Sequence, residues 1–276
     1  MKRYHASPVE APPSDGIHVR HARREFLRIG LALATGGLAI EPGALIRAGN
    51  LHASHMVTPC PDAECRATML GESGEARWLG ERVGNEAEHI VHTLRHTHYQ
   101  HKEGIDVATG TYDCDCSGFV SFVLQQVAPE YFQIIPKESG WEIPRAFKYE
   151  EFFSSLSSRA EKGWRAVPNL SQVHRGDIVA WSLPNHLRKE EDTGHVFVVA
   201  AAPTKLQAGL LAVRACDSST VRHYYDSRAQ GDGAFHTGVG TGTIHFKVDG
   251  AGKPLSFQFG PGDRFHRVPI ATGRVI

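Results

Sequence analysis

The feature that most restricts the fold is a change of hydrophobic period near residue 170. Upstream of it, apolar residues recur at helical spacing. Ala87, Ile90, Val91 and Leu94 share one stripe in a helix expected from Asn85, and His98 would extend it. Phe119, Val120, Val123, Leu124 and Val127 repeat the pattern and predict an amphipathic helix that ends before Pro129. A third helical stretch reads "FKYEEFFSSLSSRAEKG" and closes at Gly163. Residues 54–84 read as irregular, and 99–112 and 129–146 as loops. Downstream, "GDIVAW" (Gly176–Trp181), "HVFVVAA" (His195–Ala201) and "LLAVRA" (Leu210–Ala215) are short β-branched runs between turn residues, hence strands. Gly242–Phe259 reads as a hairpin with Asp249, Gly250 and Gly252 in its loop. Helices first and strands later predict an α+β fold, with N-terminal helices packed on a mostly antiparallel sheet.

Charge narrows the partners. Lys plus Arg equals Asp plus Glu at 30 each, and no block of like charge suggests a nucleic-acid surface. No run of about 18 apolar residues is present, so no membrane-spanning helix is expected. The N-terminus carries an address instead. "RREFLR" (Arg23–Arg28) precedes the apolar run Ile29–Ile40, which has the length of a signal-peptide core. The adjacent arginines resemble the twin-arginine export signal of bacteria. A signal segment over residues 1–50 is expected, followed by a single domain at 54–276 that is periplasmic or secreted, without stable membrane insertion after export. Removing the first 48 residues leaves 23 basic and 26 acidic residues, a mildly acidic protein.

Export changes the meaning of the cysteines, Cys60, Cys65, Cys114, Cys116 and Cys216. An odd number in an oxidising compartment leaves at least one thiol free or paired with another molecule. A Cys60–Cys65 bond would close a small loop and leave Cys114 and Cys216 to each other. A Cys114–Cys116 bond would be strained.

The stretch "YDCDCSGFV" (Tyr112–Val120) distinguishes its two thiols. With Asp115 as the helix N-cap, Cys116 becomes the first helical residue. Unpaired N–H groups and about half a positive charge there favour a thiolate and can hold an oxyanion. Ser117 and Gly118 are small and leave room for a substrate. Cys114 lies outside that field and suits a disulfide. The plainer alternative makes Cys116 a small buried hydrophobe. A catalytic thiol needs a base and an orienting group. His195 opens a strand directly after Gly194. If residues 201 and 211 pair in a hairpin, His195 and Asp217 fall side by side across two strands. That arrangement is an imidazole backed by a carboxylate.

"DCSGFV" at a helix start, then "RGDIVAW", then "GHVFVV" resembles the NlpC-type cell-wall cysteine peptidases, a papain-like group acting on bacterial peptidoglycan. The resemblance covers roughly residues 87–217. It implies a papain-like fold, Cys116 as nucleophile, His195 as general base, Asp217 as the third residue and Tyr99 as a supporting residue, with Asp115 and Ser117 beside the thiol. It also implies amide bonds in wall stem peptides as substrate, with no cofactor. The chain departs from the pattern through an insertion at about 130–170 and a C-terminal tail after 218 with no counterpart. Two other readings compete. His89, His92 and His96 fall one and two turns apart opposite the apolar stripe, a spacing able to chelate zinc or copper. A non-catalytic wall-binding protein on the same fold is the other.

Overall fold

The strand-rich half of the chain curls back on itself. The computed structural model describes residues 72–184, 192–229 and 234–276. The expected signal segment, Cys60 and Cys65 lie outside the described residues. Four helices are labelled α1 (Glu72–Thr93), α2 (Cys116–Val127), α3 (Pro129–Phe132) and α4 (Ala146–Ser155). A small hairpin joins β1 (Gly104–Asp106) to β2 (Thr111–Asp113). The main sheet contains β3 (Trp164–Ala166), β4 (Ile178–Ser182), β5 (Gly194–Val199), β6 (Thr204–Gln207), β7 (Leu210–Ser219), β8 (Gly238–Val248), β9 (Pro254–Gln258) and β10 (Ile270–Val275). Its order is β3-β10-β4-β5-β7-β8-β9, with β6 also on β7, and every pair is antiparallel. The architecture is α+β with an antiparallel sheet, as the change of period predicts.

Curling follows from one aromatic contact. Trp181 on β4 stacks on Phe257 of β9 with ring centroids 3.9 Å apart. Three strands separate β4 from β9 in the sheet order. In a flat sheet four spacings would hold them about 19 Å apart. Alternation along each strand therefore feeds two cores. Ile178, Ala180, Val196, Val198 and Cys216 point to the helices, where Phe119, Val120, Val123 and Leu124 of α2 meet them. Val179, Trp181, Phe197, Val199, Ala215, Phe246 and Phe257 fill the concave side.

Several boundaries differ from the sequence expectation. Helix α1 begins at Glu72 instead of Asn85, and its stripe includes Leu79 and Val83. Gly80 and Gly84 weaken the helical signal there, and Gly84 gives room for the Arg175 side chain. The helix ends at Thr93, so His98 does not extend it. Helix α4 stops at Ser155, where Ser155 donates its hydroxyl to the Phe152 carbonyl, a local bond that competes with helix propagation. The 130–170 stretch holds most of α3, α4, β3 and a 3-10 turn beginning at Leu170. The C-terminal tail belongs to the sheet. Strand β8 pairs with all of β7, and β10 inserts between β3 and β4. Among the described residues no helix is long and apolar enough to cross a membrane.

On one face of β8, the alternate residues Gly240 and Gly242 carry no side chain, and residues 223–228 lie across them. A Cβ at Gly242 would stand 2.4 Å from Cβ of His223, and one at Gly240 would stand 2.8 Å from Cγ of Arg228. Such overlap forces the segment off the sheet. Gly242→Ala should cost about 1–3 kcal/mol in a urea unfolding titration. Gly250→Ala, with nothing within 4 Å of its new methyl, should be close to neutral. Equal losses in the two variants would show that the segment does not pack on β8.

Candidate functional site

Asp115 caps α2 as the sequence predicts. Its Oδ1 accepts from the Gly118 N–H at 2.7 Å and from the Ser117 hydroxyl at 2.8 Å. Its Oδ2 stands 3.1 Å from Nδ1 of His101. The Phe119 N–H is taken by the Asp115 carbonyl. The Cys116 N–H has no acceptor among the described residues, and the backbone N–H groups of Val196 and Ser117 favour an anionic sulfur.

The electrostatics of Cys116 correct the sequence expectation. Burial pushes this thiol well up, the neighbouring Asp115 adds to the rise, and the two N–H groups only partly oppose them. The residue is 4% exposed. In the resting protein Cys116 is therefore a neutral thiol, and the helix N-terminus does not convert it to thiolate.

His195 and Asp217 are brought together, by a different register from the one expected. Val198 pairs with Cys216 and Val199 with Ala215, two residues away from the predicted alignment. The short hairpin of β6 against β7 takes up the difference. A shift of two preserves the facing of every side chain, so the pair becomes diagonal instead of direct. Nε2 of His195 lies 2.7 Å from Oδ2 of Asp217. Gly194, at φ +145°, is required just before it, because a Cβ there would sit 2.0 Å from the Trp181 carbonyl oxygen. Strand alternation places His195 on the concave face, edge-on to Phe259 at 5.4 Å and beside Trp181 at 5.0 Å. No hydrogen bond joins Cys116 to His195 among the described residues, and Nδ1 of His195 has no partner there.

A second layer surrounds Asp217 that sequence reasoning missed. Nε2 of His223 lies 2.8 Å from the same Oδ2. Nη1 of Arg228 stands 3.1 Å from Oδ1, an ion-pair contact too bent for a hydrogen bond. Arg228 also donates Nε and Nη2 to Asp226 at 2.8 and 3.1 Å and Nη1 to the Gly238 carbonyl at 2.9 Å. Asp226 in turn accepts the His223 backbone N–H at 2.7 Å. Burial alone would raise the Asp217 carboxyl, but His223, Arg228 and the two imidazole bonds hold it well below the usual carboxylate range. Burial lowers His195, against the pull of Asp217, so the imidazole is neutral near pH 7. The signal available in the sequence was "GVGTGT" (Gly238–Thr243), whose alternating glycines mark a strand face that another backbone approaches.

The other expected residues have definite places. Tyr99 is half-buried, and burial first, then the nearby Cys116 and acidic groups, raises its hydroxyl far above the usual range. Cys114 and Cys216 are free, buried thiols, which corrects the expectation that they form a disulfide. Burial pushes Cys216 up to about 12. His89, His92 and His96 do not share a helix face, because His96 follows the end of α1 and faces Asp113 at 3.4 Å. His92 and His96 instead line a cavity of about 610 Å³ with Arg95 and Arg214, whose charges oppose a cation. Among the described residues the donor atoms of His195, Asp217 and His223 do converge within 4.8 Å. Both imidazoles already bond the carboxylate there, and the Arg228 guanidinium beside it disfavours a divalent ion.

Comparison with known proteins adds little chemistry. No family model matches the chain. An uncharacterized protein of Acanthamoeba polyphaga mimivirus is 25% identical over 209 residues, covering 65% of this chain and 88% of that protein.

The low proton affinity of His195 has a consequence for stability. Its folded-state value lies below the unfolded one, so as pH falls the unfolded chain binds this proton first. Its contribution is complete above about pH 6.5 and is lost as pH falls through the folded value. The urea midpoint of the wild type should fall between about pH 7 and pH 5 more steeply than that of His195→Gln, which keeps an N–H donor for Asp217. Parallel curves would show that His195 titrates as an ordinary histidine.

Proposed function

We propose that the protein is an exported cysteine hydrolase on a papain-like fold, with Cys116 as nucleophile, His195 as general base and Asp217 as its orienting residue. The observation that carries this reading is the held imidazole. Nε2 of His195 is fixed on Asp217 and Nδ1 is left open. The backbone N–H of the next residue, Val196, favours an anionic form of the candidate sulfur. The ordered motifs "DCSGFV" and "GHVFVV" support the same assignment and make an amide in a peptidoglycan stem peptide the substrate class to test first. The arginine pair ahead of the apolar run supports export. No cofactor is needed for this chemistry.

The reaction starts from a neutral thiol and a neutral imidazole. Substrate binding brings Sγ within reach of Nδ1 of His195, a contact that commonly tightens only in the Michaelis complex. Nδ1 takes the thiol proton as sulfur bonds to the carbonyl carbon, and the oxyanion accepts the free Cys116 N–H. Tyr99 keeps its proton and so remains able to donate a hydrogen bond. The tetrahedral adduct expels the amine, which leaves with the proton from Nδ1. Water then adds to the thioester and gives a proton to Nδ1. The C–S bond breaks, the acid departs, and the thiol is restored. Asp217 holds the imidazolium throughout and stays ionised.

The slight exposure of Cys116 favours a second reading, a wall-binding protein without turnover on the same fold. Digestion of purified peptidoglycan fragments, followed by mass spectrometry, separates the two. Wild-type protein should release new termini, and Cys116→Ala should lose on the order of 10³-fold or more in kcat/KM. Cys114→Ala should stay within about tenfold of wild type. Cleavage that survives Cys116→Ala would end the hydrolase reading. Wall binding without any cleavage by the wild type would favour the alternative.

A further inference from the structure

We propose that His223 and Arg228 are positioning residues that lock the Asp217 carboxylate, so that His195 is presented as a neutral imidazole protonated on Nε2 and open at Nδ1. The proposal deepens the reading of His195 as the base and rests on it.

The argument begins with proton accounting. An ionised carboxylate only accepts hydrogen bonds. Two imidazole Nε2 atoms reach Oδ2 of Asp217, at 2.7 and 2.8 Å, so each must carry its proton there. With His195 neutral, that fixes its tautomer and leaves its Nδ1 open to take a proton from a thiol. His223 is fully enclosed, and its own Nδ1 makes no hydrogen bond but lies 3.9 Å from Oδ2 of Asp226.

Charge accounting gives Arg228 its role. A buried carboxylate beside an imidazole ordinarily draws a proton onto it, making an ion pair that cannot act as a base. Arg228 faces the other oxygen and, after burial and His223, opposes the pull of Asp217 on His195. The groups acting on His195 are Asp217 from β7 and His223 and Arg228 from the segment after it. Strand β4 and the chain after β9 present the rings of Trp181 and Phe259. Arg228 is itself held by a two-pronged bond to Asp226, which also takes the His223 backbone N–H. Asp217, His223, Asp226 and Arg228 thus form a closed loop with one shared purpose, the aim and charge of a single carboxylate. A purely structural role would predict lost stability on substitution with no change in how His195 titrates.

The test is ¹⁵N NMR of the full chain labelled at histidine, with His195 assigned by its loss in His195→Gln. In the wild type His195 should appear as the Nε2–H tautomer near pH 7. Arg228→Gln removes the opposing charge, so the His195 midpoint should move to higher pH. Arg228→Lys keeps the charge and should leave the midpoint near that of the wild type. His223→Leu removes an N–H donor from Oδ2 and should also raise the midpoint, and it is the variant to read if Arg228→Gln does not fold. An Nδ1–H tautomer in the wild type would overturn the proposal, and so would unmoved midpoints in the folded variants or an equal rise in Arg228→Lys and Arg228→Gln. These signals require no turnover. Hydrolysis that survives Cys116→Ala would therefore sink the hydrolase reading alone, while unmoved midpoints beside normal Cys116-dependent cleavage would sink only the positioning role.

Discussion

A carboxylate with no exposed surface must find its compensation inside the protein, and Asp217 finds it on three sides. The penalty for enclosing one ion is several kcal/mol. Hydrogen bonds to a charged group return about 1.5–3 kcal/mol each, so two imidazole donors offset much of that cost and a cation is needed for the remainder. Arg228 supplies it and is bound to Asp226 in turn. The surrounding structure follows from this requirement. Residues 222–228 must lie against the sheet, β8 must present glycines where they cross, and β7 must continue to Ser219 to carry the carboxylate beneath them. Buried ion pairs are weak evidence for stability, since apolar groups of similar volume often serve as well. A network of this size on the concave face therefore argues for a chemical task at His195.

The two halves of the proposed reaction centre obey opposite rules. A helix N-terminus stabilises an anion by about 0.3–1 kcal/mol, and by about 2 kcal/mol in partly buried settings. Removing a thiolate from water costs more than that, and Cys116 is enclosed. Burial wins, so the sulfur keeps its proton. The same enclosure keeps His195 neutral although a carboxylate touches it. A neutral pair has no charge to desolvate in the resting state, and charge separation is deferred until the substrate carbonyl is present to accept the electrons.

The legible parts of this fold were those fixed by local rules. An aspartate two residues ahead of serine and three ahead of glycine announced the cap, and the apolar spacing behind it gave the buried face of α2. His195 was legible because a glycine and a β-branched run bracket it. Register was less so, since β6 and its bulge intervene between β5 and β7. The expectation of a contact with Asp217 survived because the error was an even number of residues. His223, Asp226 and Arg228 could not be found by composition. In "RHYYDSR" they read as solvated loop residues, and only the glycine spacing of a strand still to come reveals where they are buried.

Cysteine counting failed for a related reason. It treats every thiol in an oxidising compartment as a candidate for pairing, whereas reactivity depends on thiolate character and access. Cys114 and Cys216 are completely enclosed, and burial raises both. Each behaves as a small apolar residue, one under α2 and one on the helix side of β7. An odd number of cysteines is then no obstacle to export, because the thiols within the core neither need partners nor present themselves for exchange. Cys116 shares their burial but not their position. It opens a helix capped by Asp115 and has a held imidazole on the neighbouring strand, and this difference in surroundings, more than any difference in thiol, singles it out.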